Sequence, residues 1–363
     1  MQRTGKQACL LVLLCLINLN GQATTDEARN ALKKCWESRA DVSGISGLAA
    51  DDDLVYFAND EGKLSAIEIR TGRIAWVSEL AGKTRSAIVL SEGLIVVVSG
   101  VDDKPATLTS LATRTGLVAW RSELPRSERY YLTNVNGGLI AVSTEGRIFR
   151  IGNADGRLIW DKKVSGEIVS DPKIGDGKLV IATSRNTVEA YDLADGHQKS
   201  SLSLDFTPSI VGAGKDSSVI YSDQKGSVFS TNLAGQRNWK FRAGGRIVYV
   251  KTVGPNVLIG SSDNFVYLMS VDHGNLVWKR RLPGRIANGG LIGEDRAVFT
   301  VIGERSAWIL DLDKGRITDQ IDISVDDAFL FTPVHGNVQY LLSATSTGVS
   351  GFSINCDNEK SGK

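Results

Sequence analysis

The chain has 363 residues, enough to bury a large core in one or two domains. Its 42% hydrophobic content and 38 glycines describe a turn-rich globular protein and exclude disorder over most of the length. Lys and Arg number 42 against 41 Asp and Glu, so no global charge draws it to nucleic acid or anionic lipid.

Residues 1–23 read as a secretory signal peptide. Arg3 and Lys6 supply a basic start, and 8–19 is an apolar run too short for a spanning helix, which takes ~20 residues. Gly21-Gln22-Ala23 then offers small residues for cleavage. Cys15 follows Leu13-Leu14 and Cys9 sits beside the basic start, so neither has the small preceding residue of a lipidation signal. The expected organisation is a signal peptide at 1–23, one domain at 24–356 and a polar tail at 357–363.

A period of about 40 residues runs through the domain. Ala66-Ile67-Glu68-Ile69-Arg70-Thr71-Gly72-Arg73-Ile74-Ala75-Trp76 has echoes at Ala190-Tyr191-Asp192 and at Gly156-Arg157-Leu158-Ile159-Trp160. Marker glycines fall at Gly72, Gly116, Gly156, Gly196, Gly235, Gly274 and Gly315. A tryptophan follows four residues later at Trp76, Trp120, Trp160, Trp239 and Trp278; Ser200 and Asp319 take that place in the other two. Alternating runs such as Leu54-Val55-Tyr56-Phe57 predict strands, and Thr71-Gly72, Asp155-Gly156 and Asp195-Gly196 predict hairpin turn pairs. Four short strands per period, with a Trp in the outermost, make a propeller blade.

The two ends complete one another. Trp36 lies 40 residues before Trp76, so Cys35-Trp36-Glu37 aligns with an outer strand lacking its first three. Residues 348–354 align with a third strand lacking its fourth. Together ~325–354 and ~33–40 predict an eighth blade, which removes the open sheet edges of a linear array. The alignment sets Cys35 at the place of Ala75 and Cys356 at that of Thr71, flanking one broken turn. In an oxidising compartment these two thiols are expected to pair. The fold class is therefore all-β, an eight-bladed propeller whose last blade is closed by the N- and C-terminal segments.

The pattern A-x-[DE]-x-x-x-G-x-x-x-W resembles the PQQ-like repeats of quinoprotein alcohol dehydrogenases and of the outer-membrane assembly factor BamB. It covers about 36–354, and the eight-blade count, length and secretion are closest in character to BamB. The resemblance implies a binding scaffold for proteins in outer-membrane protein assembly. The alternatives are a PQQ-dependent oxidoreductase and a propeller that binds carbohydrate or peptide at its channel mouth. A quinoprotein dehydrogenase needs a calcium site, a catalytic Asp and usually a vicinal cysteine pair; the mature sequence has no adjacent cysteines and no Cys-x-x-Cys-His.

No catalytic residue is assigned. The acidic runs Asp51-Asp52-Asp53, Asp102-Asp103 and Asp326-Asp327 read as solvated turn residues, without the spacing of a calcium loop. His197, His273 and His335 all lie beside turns, and no metal or cofactor is expected. The periodic tryptophans, Trp36 included, read as core between blades, whereas Trp308 is out of phase and stays open. Arg85, Arg129, Arg246 and Arg285 follow their tryptophans by seven or nine residues, in connections that reach one mouth of the propeller. They are the candidate binding residues, suited to carboxylate or phosphate groups of a partner. The alternative is ordinary solvated arginine, or arginine paired with Glu128, Glu167, Asp326 or Asp327. The expected partners are proteins docked on one face, with no nucleic acid and no transmembrane segment, and the expected state is a monomer. The expected location is periplasmic or secreted, or the secretory lumen in a eukaryote.

Overall fold

Each repeat turns on a glycine held in the left-handed region. In the first, the N–H of Glu68 donates to the Arg73 carbonyl and the N–H of Gly72 to the Glu68 carbonyl, with Gly72 at φ +70°. The turn therefore spans 69–72, longer than the two-residue pair the sequence suggests. It ends on the one conformation that a side chain would strain. Gly156 and Gly196 repeat the arrangement, each at φ +70°, donating to the carbonyls of Gly152 and Asp192.

The computed structural model describes residues 33–38, 45–214, 218–322, 328–331, 340–345, 348–353 and 356. The expected signal peptide at 1–23, the tail at 357–363, Asp326-Asp327 and His335 lie outside them. The described residues form eight small antiparallel sheets, an eight-bladed propeller. Blade 1 runs from the channel outward as Ile45–Ala50, Leu54–Asn59, Lys63–Glu68 and Ile74–Glu79. Blades 2 to 7 follow in chain order. Blade 2 has its inner strand in two pieces, Lys83–Thr84 and Val89–Ser91, and extra residues at 101–105 that account for the longest repeat. Blade 8 joins Ala328–Phe331, Leu341–Thr345 and Gly348–Ser353 to Lys33–Ser38, the first described strand of the chain.

The second strand of each blade is buried more completely than alternation predicts. Leu54, Val55, Tyr56 and Phe57 are 9%, 0%, 0% and 2% exposed, with no polar face between them. Each blade is sandwiched between two others, so both faces of its central strands are covered and the run reads as continuously apolar. The outermost strands keep an exposed alternation, as in Ile74–Glu79 and Leu276–Arg281.

Every outer strand also carries a register shift just before the tryptophan position, between Ile74 and Trp76 in blade 1 and between Lys34 and Trp36 in blade 8. Such a bulge re-aims the next side chain. Here it lays the indole over the marker glycine of the following blade. Built on Gly116, a Cβ would stand 2.5 Å from Trp76 Cε3, and on Gly72, 2.7 Å from Trp36 Cε3. Each indole N–H then donates to a backbone carbonyl of that blade: Trp36 to Ile69 (2.6 Å), Trp76 to Thr113 (2.9 Å), Trp120 to Asn153 (2.8 Å). Trp160, Trp239 and Trp278 do the same to Ala194, Val271 and Leu312. The tryptophans are latches between blades. Trp308 joins them in the interior, half-buried against the cluster between blades 6 and 7.

In blade 8 the bulge residue is Cys35. Its sulfur is bonded to that of Cys356, with 5.3 Å between the two Cα atoms, across a sequence separation of 321. The pairing of Lys33–Ser38 with Gly348–Ser353 and this bond close the ring together.

Candidate functional site

Because all strands in a blade are antiparallel, the glycine-marked turns share one end of each sheet. The turns between second and third strands share the other, with the connections from one blade to the next. Those connections carry the candidate cations. The pairing of inner strands fixes which residues are equivalent. Thr84, Tyr130, Ile168, Ile247 and Ile286 each face the end of the neighbouring second strand. The residues just before them are Lys83, Arg129, Glu167, Arg246 and Arg285. Their backbones are pinned alike: the carbonyls of Arg129, Glu167, Arg246 and Arg285 accept from the N–H of Thr144 (3.1 Å), Ser184 (2.8 Å), Ser262 (2.8 Å) and Ile302 (2.8 Å).

Arg85 does not belong to this set. It lies two residues deeper, its side chain only 11% exposed, where Nη2 donates to Asp102 Oδ1 (2.6 Å) and Nη1 to the Ser127 carbonyl (3.2 Å). Counting from the tryptophan misplaces it because the connection into blade 3 is two residues longer than the one into blade 2. Arg85 ties that connection to the extra residues of blade 2, and Lys83 takes its place on the face.

Lys83, Arg129, Arg246 and Arg285 are exposed, and among the described residues none has an ion pair. Arg129 rests on the ring of Tyr131, 4.9 Å from its centroid, and burial raises the Tyr131 phenol against the pull of that guanidinium. Three of the nearby acids, Glu145, Asp263 and Asp103, are engaged elsewhere. Burial would raise the Glu145 carboxyl, but hydrogen bonds from Ser127, its own backbone N–H, the Glu128 N–H and Thr144 hold it below the usual range. Asp263 accepts from the Gly244 N–H and the Tyr267 hydroxyl (both 2.6 Å), and Asp103 pairs with Arg126 at 3.0 Å. Four exposed cations without an ion pair among the described residues favour an anionic partner surface, with Glu167 an acid at the equivalent place in blade 4.

The remaining acidic runs are structural. Asp51 accepts from the N–H groups of Asp53 and Leu54 and from the Tyr56 hydroxyl, and Asp102 holds Arg85. His197 is exposed and bonded to Asp195 at 2.9 Å; His273 is exposed. Among the described residues no three His, Cys, Asp or Glu side chains converge to hold a metal, and no helix is long and apolar enough to cross a membrane.

The described residues thus make a closed, disulfide-joined eight-bladed propeller with exposed cations on one face. A family model described as outer membrane protein assembly factor BamB matches residues 28–130 and 105–239. The chain belongs to the BamB family. The BamB of Moranella endobia (strain PCIT) is 22% identical to it over 73% of this chain and 71% of its own. That of Yersinia pestis is 22% identical over 82% and 81%. The crystal structure of BamB from Moraxella catarrhalis superposes with a TM-score of 0.63, covering 89% of this chain and 97% of that one at 18% identity, which supports the fold.

Proposed function

We propose that this protein is a non-catalytic scaffold of outer-membrane protein assembly that acts outside the cytoplasm, in the periplasm, as a monomer. Residues 1–23 direct its export, and partner proteins dock on the face of the blade-to-blade connections. Family membership supports the assembly role. The observation that carries the docking face is the register-matched ring of unpaired Lys83, Arg129, Arg246 and Arg285. The Cys35–Cys356 bond supports an oxidising compartment, where such bonds persist.

A chain with Lys83, Arg129, Arg246 and Arg285 all changed to serine tests the face. Rim cations act mainly on encounter, so association with the envelope partner should slow by about tenfold at low salt and lose most of its salt dependence. Surface plasmon resonance at two ionic strengths measures both. Unchanged association would remove this face from partner docking. Arg85 is left in place, since its loss would loosen blade 2.

A further inference from the structure

The repeat gives almost every marker glycine an indole from the blade before it. Two outer strands lack the tryptophan, and they differ. Asp319 faces blade 8, whose turn at this place is the chain break joined by Cys35 and Cys356, so no glycine waits there. Ser200 faces blade 5, whose Gly235 is present, left-handed at φ +85° and uncovered by any ring; a Cβ there would meet only Leu202 Cδ2, at 3.3 Å. Gly235 is a seat without its indole.

The space beside Gly235 is lined by Leu202, Phe206, Tyr221 and Phe229 among polar neighbours that include Asp205, Asp223, Arg237 and Lys240. Phe206, from the connection into blade 5, stacks on Phe229 with centroids 5.4 Å apart, and Phe229 stacks on Tyr221 at 5.3 Å. Phe206 thus fills the inner part of the interface. Ser200 is too short to fill the outer part, and a groove of about 740 Å³ remains between the outer strand of blade 4 and blade 5. Arg237 and Lys240 lie over the Phe229 ring, 5.7 and 5.2 Å from its centroid. Stacked rings and overlying cations both select an aromatic group over an aliphatic one of equal size.

We propose that this groove docks an aromatic side chain of the partner protein, which takes between blades 4 and 5 the place that the chain's own indoles take elsewhere. The proposal rests on the scaffold reading. The outer strand Arg237–Arg242 leads from the groove to Arg246 on the cationic face, so one partner segment can reach both.

The test titrates the whole mature protein with N-acetyl-tryptophanamide while the methyl resonances of Leu202 are followed. The expected result is a saturable ring-current shift at Leu202 that the alanine amide does not produce. Ser200→Trp, which supplies the missing indole, should abolish that shift and weaken partner binding by about tenfold. Should Ser200→Trp fail to fold, Arg237→Ser with Lys240→Ser should reduce the probe's affinity instead. A motionless Leu202, or a shift that survives Ser200→Trp, overturns the groove even if the cationic face still governs partner binding. A probe response with partner binding unchanged in Ser200→Trp would overturn the partner as occupant, whereas partner binding lost on changing neither surface would count against the scaffold reading. Concentration-dependent dimerisation blocked by Ser200→Trp would assign the groove to a second copy and overturn the partner.

Discussion

Trp120→Ala is expected to destabilise the ring by ~3–5 kcal/mol, the range for truncating a buried tryptophan. Trp120 is 9% exposed and packs in one cluster with Val96, Leu108, Leu139 and Phe149, between blades 2 and 3. Its indole N–H also satisfies the Asn153 carbonyl, and its ring covers Gly156. Urea unfolding should show a lower midpoint at unchanged slope. The partner half of the latch gives the reciprocal result: in Gly156→Ala the new methyl collides with the Trp120 ring, and φ +70° adds backbone strain. Gly93→Ala, also left-handed at φ +77° but open within 4 Å, is the control and should cost less. Equal losses at Gly93 and Gly156 would mean that turn conformation, and not the latch, holds neighbouring blades together.

Cys35→Ser removes the bond that joins the ends, with an expected loss of about 2–5 kcal/mol. A covalent link across a separation of 321 residues restricts the unfolded chain strongly, whereas the folded ring keeps its closing strand pair and the Trp36–Ile69 hydrogen bond. The thermal midpoint should therefore fall by roughly 3–10 °C while the β signal at 25 °C is retained. Reductant should lower the wild-type midpoint toward that of the variant and leave the variant unmoved. Two alkylatable thiols in the native, unreduced protein would contradict the closure.

The ring was legible in the sequence because its periodic parts are single residues with strict geometry. Glycine marks the left-handed turn residue, tryptophan the latch, and two half-blades with one cysteine each mark the closure. What escaped depends on register and on tertiary cover. The offset from a tryptophan cannot separate Lys83 from Arg85, since two extra residues in one connection change which side chain faces solvent. The runs read as alternating strands are buried on both faces, because the neighbour that covers the second face lies 40 residues away. The serine at 200 was visible as a missing tryptophan. Its consequence was not, because only the packing of Phe206, Tyr221 and Phe229 shows that the seat at Gly235 is partly filled from inside and open from outside.

The central claim, that partner proteins engage the cationic face of a closed scaffold, is tested most directly by site-specific photocrosslinking in the intact cell envelope. A crosslinking residue at position 246 sits on that face. One at position 313 sits on the opposite, turn-bearing face, where Asp313 is 82% exposed. A discrete protein adduct is expected from 246 and none from 313. Adducts from 313 alone, with none from 246, would contradict it.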